Sequence, residues 1–271
     1  MDVTPIDQNC GRDVPDRKRL VMYSGGIGSW CAAKRTVERN GAENVRLLFT
    51  DTLIEDETLY TFMRDGAAFL GAELIEIADG RTPFEVFIDK RFLGNSRADP
   101  CSEILKREIS KRWVREHATP DKWVIVFGID YSEAHRYERL KVRWAPHVVE
   151  APMCEVPWLS KDEQIAEARA AGLTIPRLYG LGFRHNNCGG GCVKAGQASW
   201  RLLLLSMPDR YERWERQEQI MRHYLGADVA MLKERRNGQS APLTLRTLRG
   251  RIERNEACDL LDFGGCGCFG V

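Results

Sequence analysis

Residues 24–29 read Ser-Gly-Gly-Ile-Gly-Ser, directly after the apolar run Leu20–Tyr23 and directly before a stretch of helical composition. A strand that breaks into such a turn and then a helix aims several backbone N–H groups and a helix N-terminus at one point. That arrangement binds anions, phosphate above all. Gly25, Gly26 and Gly28 let the backbone approach a ligand closely, and Ser24 and Ser29 add hydroxyl donors. The turn lacks the Lys-Ser/Thr ending of a P-loop, and Cys31 stands where the dinucleotide fingerprint carries its third glycine. An ordinary glycine-rich turn is the competing account, so the surrounding residues have to decide.

Three further stretches could do chemistry at the same place. Asp51-Thr52 closes the second apolar run. A carboxylate there can bind a ribose hydroxyl or a Mg²⁺ that bridges phosphates, or simply cap a helix. Gly128-Ile-Asp130-Tyr-Ser132-Glu133-Ala-His135-Arg136 follows another apolar run, with Ser132 placed to cap a helix and Arg136 and Arg139 spaced to share one helical face. A pair of guanidinium forks suits phosphate or sulfate, although an exposed salt-bridged helix has the same spacing. Cys101-Ser-Glu-Ile-Leu-Lys106-Arg107 reads, on its own, as a solvated basic face.

Nine cysteines are present, and five of them lie after residue 187. The N-terminus is polar and unlike a secretory signal, so clustered cysteines point to metal or redox chemistry rather than disulfides. His185-Asn-Asn-Cys188-Gly-Gly-Gly-Cys192 offers two thiolates four apart with a pliable loop between them, and Cys266-Gly-Cys268 offers two more. Four sulfur ligands suit Zn²⁺ or an iron–sulfur cluster equally; His185 is an alternative ligand, and a tail redox pair is a competing use of the thiols.

The elements that must position these residues follow from periodicity. Strands are expected at Arg19–Tyr23, Val45–Thr50, Glu73–Ala78, Trp123–Phe127 and His147–Ala151. They alternate with helices at Ser29–Asn40, Glu57–Leu70, Ser102–His117, Glu133–Arg143 and Lys161–Ala171. This order predicts an α/β fold with a mostly parallel, doubly wound, Rossmann-like sheet, whose ligands sit at the carboxyl ends of the strands. Residues 24–29 and Asp51 both fall at such ends. Residues 1–18 are expected to form a flexible arm, 19–180 a nucleotide-binding domain, and 181–271 a Cys-rich, mainly helical C-terminal region. The tryptophans sit mostly among apolar neighbours and are expected in cores. The basic, loop-rich stretch 233–254 could contact nucleic acid, but such runs are usually solvated. With 271 residues, 43% hydrophobic and 29% charged residues and a net charge of +1, no global field draws the chain to a polyanion or a membrane. No apolar stretch approaches the ~20 residues of a membrane span. A cytoplasmic location is expected.

Taken in order from Leu20 to Cys192, these segments resemble the phosphoadenosine phosphosulfate (PAPS) reductase family of the adenine nucleotide alpha-hydrolase superfamily. Ser24–Ser29 matches its PP-loop. Phe49-Thr-Asp51-Thr52 with Glu55-Asp-Glu57-Thr resembles its Asp-Thr segment, and Cys101 with Lys106-Arg107 its Cys-plus-Lys helix. Residues 128–136 resemble a Gly-x-Arg-x-x-Glu-Ser-x-x-Arg segment in which Asp130 replaces the first Arg. Pro152 to Pro157-Trp158-Leu-Ser-Lys-Asp-Glu and Pro176-Arg-Leu-Tyr179-Gly-Leu-Gly182 complete the series.

The resemblance implies an enzyme that binds ATP, APS or PAPS in sulfur metabolism or sulfur transfer, with phosphates over Ser24, Gly25, Gly26, Gly28 and Ser29. Asp51 and Thr52 would add to the nucleotide site. Lys106, Arg136 and Arg139 would hold phosphate or sulfate oxygens. Cys101, Cys188, Cys192, Cys266 and Cys268 would supply a cluster or Zn²⁺, with Cys266 or Cys268 as a catalytic thiol. The cysteine pattern departs from the iron–sulfur members: Cys101 is single, Cys188-x3-Cys192 is one residue longer, and the Glu-Cys-Gly-x-His tail is replaced by Gly265-Cys266-Gly-Cys268-Phe. The double glycine of the turn is closer to members that cleave ATP between the α and β phosphates and adenylate an acceptor. Mg²⁺, a thiol reductant or sulfur donor, a nucleic-acid acceptor and a second copy of the chain are the partners this reading admits. A zinc- or iron–sulfur-stabilised nucleotide-binding module without turnover, working within a larger complex, is the alternative.

Overall fold

Five strands assemble in the order β3-β2-β1-β4-β5, every neighbouring pair parallel, in the computed structural model, which describes residues 16–236 and 239–265. They are β1 (Lys18–Met22), β2 (Val45–Asp51), β3 (Glu73–Ala78), β4 (Trp123–Phe127) and β5 (Val148–Glu150). All five residues of β4, Trp-Val-Ile-Val-Phe, are buried, as a strand covered on both faces requires. In β1, Leu20 lies between Arg46 and Ile125 of its neighbours. The chain runs outward from β1 to β3 and then returns to β4 on the other side of β1. The strand order therefore reverses between β1 and β4, which opens a crevice at their carboxyl ends.

Two helical layers cover the sheet. On one face α1 (Ile27–Asn40), α2 (Glu57–Leu70) and α7 (Lys161–Ala170) bury Val21, Tyr23, Trp30, Phe62 and Ala168. On the other, α5 (Ile109–His117) and α6 (Tyr137–Trp144) cover Leu20, Met22, Ile125 and Phe127. Local signals set the helix ends. Asp56 caps α2 by accepting the Thr58 N–H, and Gly71 ends it in the left-handed region at φ 64°. A Ser160/Glu163 capping box starts α7. A third core joins α3 (Pro83–Lys90) and the turn α4 (Pro100–Ser102) to the C-terminal region, through Phe87, Leu105, Trp200, Tyr211 and Leu248. That region holds the short α8 (Arg177–Gly180), α9 (Gln197–Ser206), α10 (Pro208–Leu225), the antiparallel hairpin of β6 (Leu232–Arg236) and β7 (Gln239–Leu243), and α11 (Leu245–Glu253).

Four features differ from the sequence reading. The expected helix Ser102–His117 carries a π-helical turn at Glu103–Glu108, and its widened spacing buries Ile104, Leu105 and Lys106 together. The expected helix from Glu133 opens as a 3-10 turn over Tyr131–Arg136, and Asp130, not Ser132, is its cap. Helix α3 was not expected. The basic stretch after residue 231 forms the hairpin, whose ends are fastened by the facing buried residues Leu232 and Leu243. Of the expected N-terminal arm, residues 1–15 lie outside the described residues, and Lys18 already pairs beside Trp123 in β1. No described helix is long and apolar enough to cross a membrane.

Candidate functional site

The turn after β1 delivers the start of α1 to the crevice. Gly26 precedes the helix in extended geometry, and no side chain caps it. The first amides of α1 are thus left for a ligand, except that the Ile27 N–H donates to the Tyr179 hydroxyl at 3.2 Å. Ser29 Oγ donates to the Gly26 carbonyl at 2.8 Å, and Ser24 Oγ donates to Ser29 Oγ at 3.2 Å, which ties the turn across its own mouth. Gly25 has φ +73°, and a Cβ there would meet Leu59 Cδ2 at 2.7 Å. Gly128, the first residue after β4, lies so close to the first turn of α1 that a Cβ would meet Ser29 Cα at 2.7 Å. Gly25 thus serves a left-handed backbone turn and Gly128 a close approach of two backbone segments.

Ser24, Gly26, Gly28 and Ser29 form the floor of a cavity of about 450 Å³ in this crevice. Its far wall is the segment after β4, from Gly128 to Arg136, and its roof is Tyr179 with residues 184–187. Three cations reach it. Lys161, the first residue of α7, has its Nζ 3.9 Å from the point where a Cβ on Gly28 would stand. It donates to Gln164 Oε1 at 3.3 Å and, among the described residues, makes no ion pair. Arg136 is held by Glu133. The Arg184 guanidinium sits 3.8 Å from the Phe263 ring centroid. Burial, followed by the nearby Lys161 charge, pushes the His185 imidazole below its ordinary range, so it enters the cavity neutral at pH 7. Backbone amides, hydroxyls and the cations Lys161, Arg136 and Arg184 thus line one crevice, together with the carboxylates of Asp130 and Glu133, and amides and cations arranged in this way are the groups that bind anions.

The structure gathers another group of expected residues elsewhere. Glu55 accepts from Thr52 Oγ1 at 3.0 Å, from Lys106 Nζ at 3.2 Å and from the Cys188 N–H. Lys106 is 4% and Glu55 8% exposed, so this is a buried ion pair whose remaining lone pairs are also used. Thr52, Cys101, Lys106, Cys188 and Cys192 line a separate cavity of about 20 Å³. The Cys188 and Cys192 thiols share a hydrogen bond, which together with burial holds Cys188 well above the ordinary thiol range. Burial pushes Cys101 up to about 12. Among the described residues no group of three or more Cys, His, Asp or Glu side chains is arranged to hold a metal ion. The described thiols therefore do not by themselves fit a zinc or iron–sulfur site. Cys266 and Cys268 lie outside the described residues.

Of the nucleotide-site residues expected from sequence, the turn 24–29 and Arg136 come together. Asp51 does not join them: its carboxylate accepts the Leu53 N–H at 2.8 Å and the Tyr60 hydroxyl at 2.7 Å. Arg139 is exposed on α6. Lys161, Tyr179, Arg184, His185 and Asn186 were not singled out for this cavity. Lys161 and Tyr179 stand inside segments that carried the family resemblance, which was the one available signal. Asn186 offered none.

No family model matches the sequence, and none of the curated proteins compared with it is similar. Solved structures are similar to part of it. One is a phosphoadenylyl-sulfate (PAPS) reductase from Candida auris in a phosphate complex, 19% identical at a TM-score of 0.44 over 61% of this chain and 78% of that one. Another is an NH3-dependent NAD synthetase from Campylobacter jejuni subsp. jejuni in complex with nitrate, 16% identical at 0.40 over 77% and 83%. A third is an NMN synthetase from Francisella tularensis, 14% identical at 0.43 over 59% and 63%.

Proposed function

We propose that the protein is an enzyme that binds an adenine nucleotide with its phosphates over residues 24–29 and cleaves ATP between the α and β phosphates, adenylating an acceptor in sulfur transfer. One observation carries the reading: a single cavity combines the uncapped start of α1 with Lys161, Arg136 and Arg184. Amides and cations fixed in place stabilise charge that grows on a departing pyrophosphate without reorganising. Mg²⁺ arriving with the nucleotide would neutralise part of that charge.

Sulfonucleotide reduction on the same site is the second reading. It requires a thiolate to attack sulfur. Cys101 and Cys188 line a different cavity, and Cys266 and Cys268, the tail thiols that the resemblance offers for this step, lie outside the described residues; the double glycine of the turn, closer to the members that cleave ATP, is what favours ATP cleavage. Incubation with ATP should release pyrophosphate, whereas APS or PAPS with a thiol reductant should release no sulfite. Sulfite without pyrophosphate would reverse the choice, and binding without either product would leave a non-catalytic nucleotide module. Ser24→Ala combined with Gly26→Val should abolish binding while the fold persists.

A further inference from the structure

One face of the molecule gathers cations that the nucleotide cavity does not use. A groove of about 780 Å³ runs beside α5 and the C-terminal end of α6, and its walls carry Lys111, Arg112, Arg115 and Arg143. Asp79 in the same groove is already held by Arg81, which leaves Glu108 as its one further carboxylate. Among the described residues no carboxylate lies within ion-pair distance of Lys111, Arg112 or Arg115. Lys111 and Arg115 stand four residues apart, on one side of α5 and about 6 Å along its axis. Burial, followed by the charges of Arg143, Arg107 and Arg115, holds the Lys111 ammonium below its ordinary range. Like charges crowded into one groove, in a chain whose net charge is only +1, are relieved by an anion from outside.

A second feature says which polyanion fits. Helix α6 leads from this groove back to Arg136 in the wall of the nucleotide cavity, roughly 10 Å away along its axis. At the other end of that wall Tyr131 stacks on Trp158, with ring centroids 5.3 Å apart and planes 22° from parallel, and the two side chains stay 43% and 44% exposed. The Trp158 indole N–H is tied to the Cys154 carbonyl at 3.2 Å. Two large rings held in place and left half in water offer a platform to a further planar group. Phosphodiester charges strung along a chain that also carries aromatic bases match both surfaces. An acidic protein segment would use the groove and leave the ring pair unexplained.

We propose that this side of the molecule binds a single-stranded nucleic acid, its phosphodiesters in the groove of Lys111, Arg112, Arg115 and Arg143 and an unpaired base on the Tyr131–Trp158 platform. The strand then runs along the wall of the nucleotide cavity, which makes it the acceptor of the proposed adenylation. That role rests on the nucleotide reading above, whereas the binding itself does not.

The test is fluorescence anisotropy of a labelled, mixed-sequence oligoribonucleotide, single-stranded or annealed to its complement, at several salt concentrations, with calorimetric titration of ATP alongside. The parent should bind the single strand, less tightly as salt rises. Combining Lys111→Gln, Arg112→Gln and Arg115→Gln should weaken strand binding roughly tenfold or more, lower the slope of log affinity against log salt by about 2, and leave ATP binding unchanged. If that triple variant loses its fold, Arg112→Glu with Arg115→Glu, both at exposed positions, carries the comparison. Trp158→Ala should weaken strand binding roughly 5- to 150-fold, the range for one base–aromatic stack, with the salt slope of the parent. The assignment is overturned by a parent that does not bind the strand, by an unchanged slope in the triple variant, by a Trp158→Ala protein that loses affinity for ATP alone, or by a duplex held as tightly as the single strand. A protein that binds the strand but not ATP leaves this surface standing and ends the nucleotide reading, and with it the acceptor role.

Discussion

Gly128→Ala is the sharpest single perturbation of the proposed site, because it adds one methyl group where two backbone segments touch. The new Cβ would stand 2.7 Å from Ser29 Cα and 3.0 Å from both the Ser29 nitrogen and the Gly28 carbonyl oxygen. None of these atoms is the end of a flexible side chain, so the segment after β4 has to move off the first turn of α1. Overpacking of this kind costs about 1–3 kcal/mol. If the strain is relieved by displacing the wall of the cavity, the loss falls on ligand binding, and the same energies correspond to a roughly 5- to 150-fold weaker ATP complex. Gly180 is the matched control. It lies in the helical turn α8 with no atom within 4 Å of an added Cβ. Gly180→Ala should bind ATP as the parent does. Titration calorimetry and a thermal melt on the three proteins separate the two routes by which the strain can appear. If Gly128→Ala kept both the affinity and the melting temperature of the parent, the close approach of these segments, and the cavity built on it, would be refuted.

Lys161→Met keeps the length of the side chain and removes its charge, and it should weaken ATP binding roughly 10-fold or more, as expected for a charge-assisted phosphate contact worth about 1.5–3 kcal/mol; equal affinity, or an unchanged salt dependence of binding, would remove Lys161 from the site. Glu218 gives a pH prediction in the C-terminal region. Its carboxyl is fully buried and accepts the Met231 and Leu245 N–H groups at 2.9 and 2.6 Å, and burial lifts its pKa from 4.5 to about 7 against the pull of those two donors. A raised carboxyl pKa contributes stability that is complete below the unfolded value and is lost as pH rises through the folded one. Urea unfolding of Glu218→Gln, which cannot titrate, should therefore be less pH-dependent than that of the parent by about 2 kcal/mol between roughly pH 5 and pH 8. Parallel pH profiles for the two proteins would contradict the burial argument.

The parts of this molecule that could be read from the sequence are those whose chemistry is local to the chain. Trp123–Phe127 announces a covered central strand by its composition, and its five residues are indeed all buried. The turn 24–29 announces itself because the role proposed for it rests on backbone amides, and its glycines are visible in the sequence: Gly25 takes a positive φ, and Gly128 lies against the backbone of Ser29. What stayed hidden depends on partners far away in sequence. Lys106 looks like a solvated cation until a π-helical turn rotates it inward to Glu55, 51 residues earlier. Tyr179 meets the Ile27 amide across 152 residues. Asn186 has no pattern around it at all; what singles it out is a buried amide without a partner among the described residues, a property that exists only once the chain is folded. The proposed phosphate loop is thus written in consecutive residues, while the side chains that share its cavity are brought to it by the sheet and by the segments after β4 and α8. The same division explains why a turn of six residues can be found in an unfamiliar chain although its ligand cannot. Amide cradles accept any polyanion, and selectivity has to come from side chains such as Lys161, whose position is a consequence of tertiary packing.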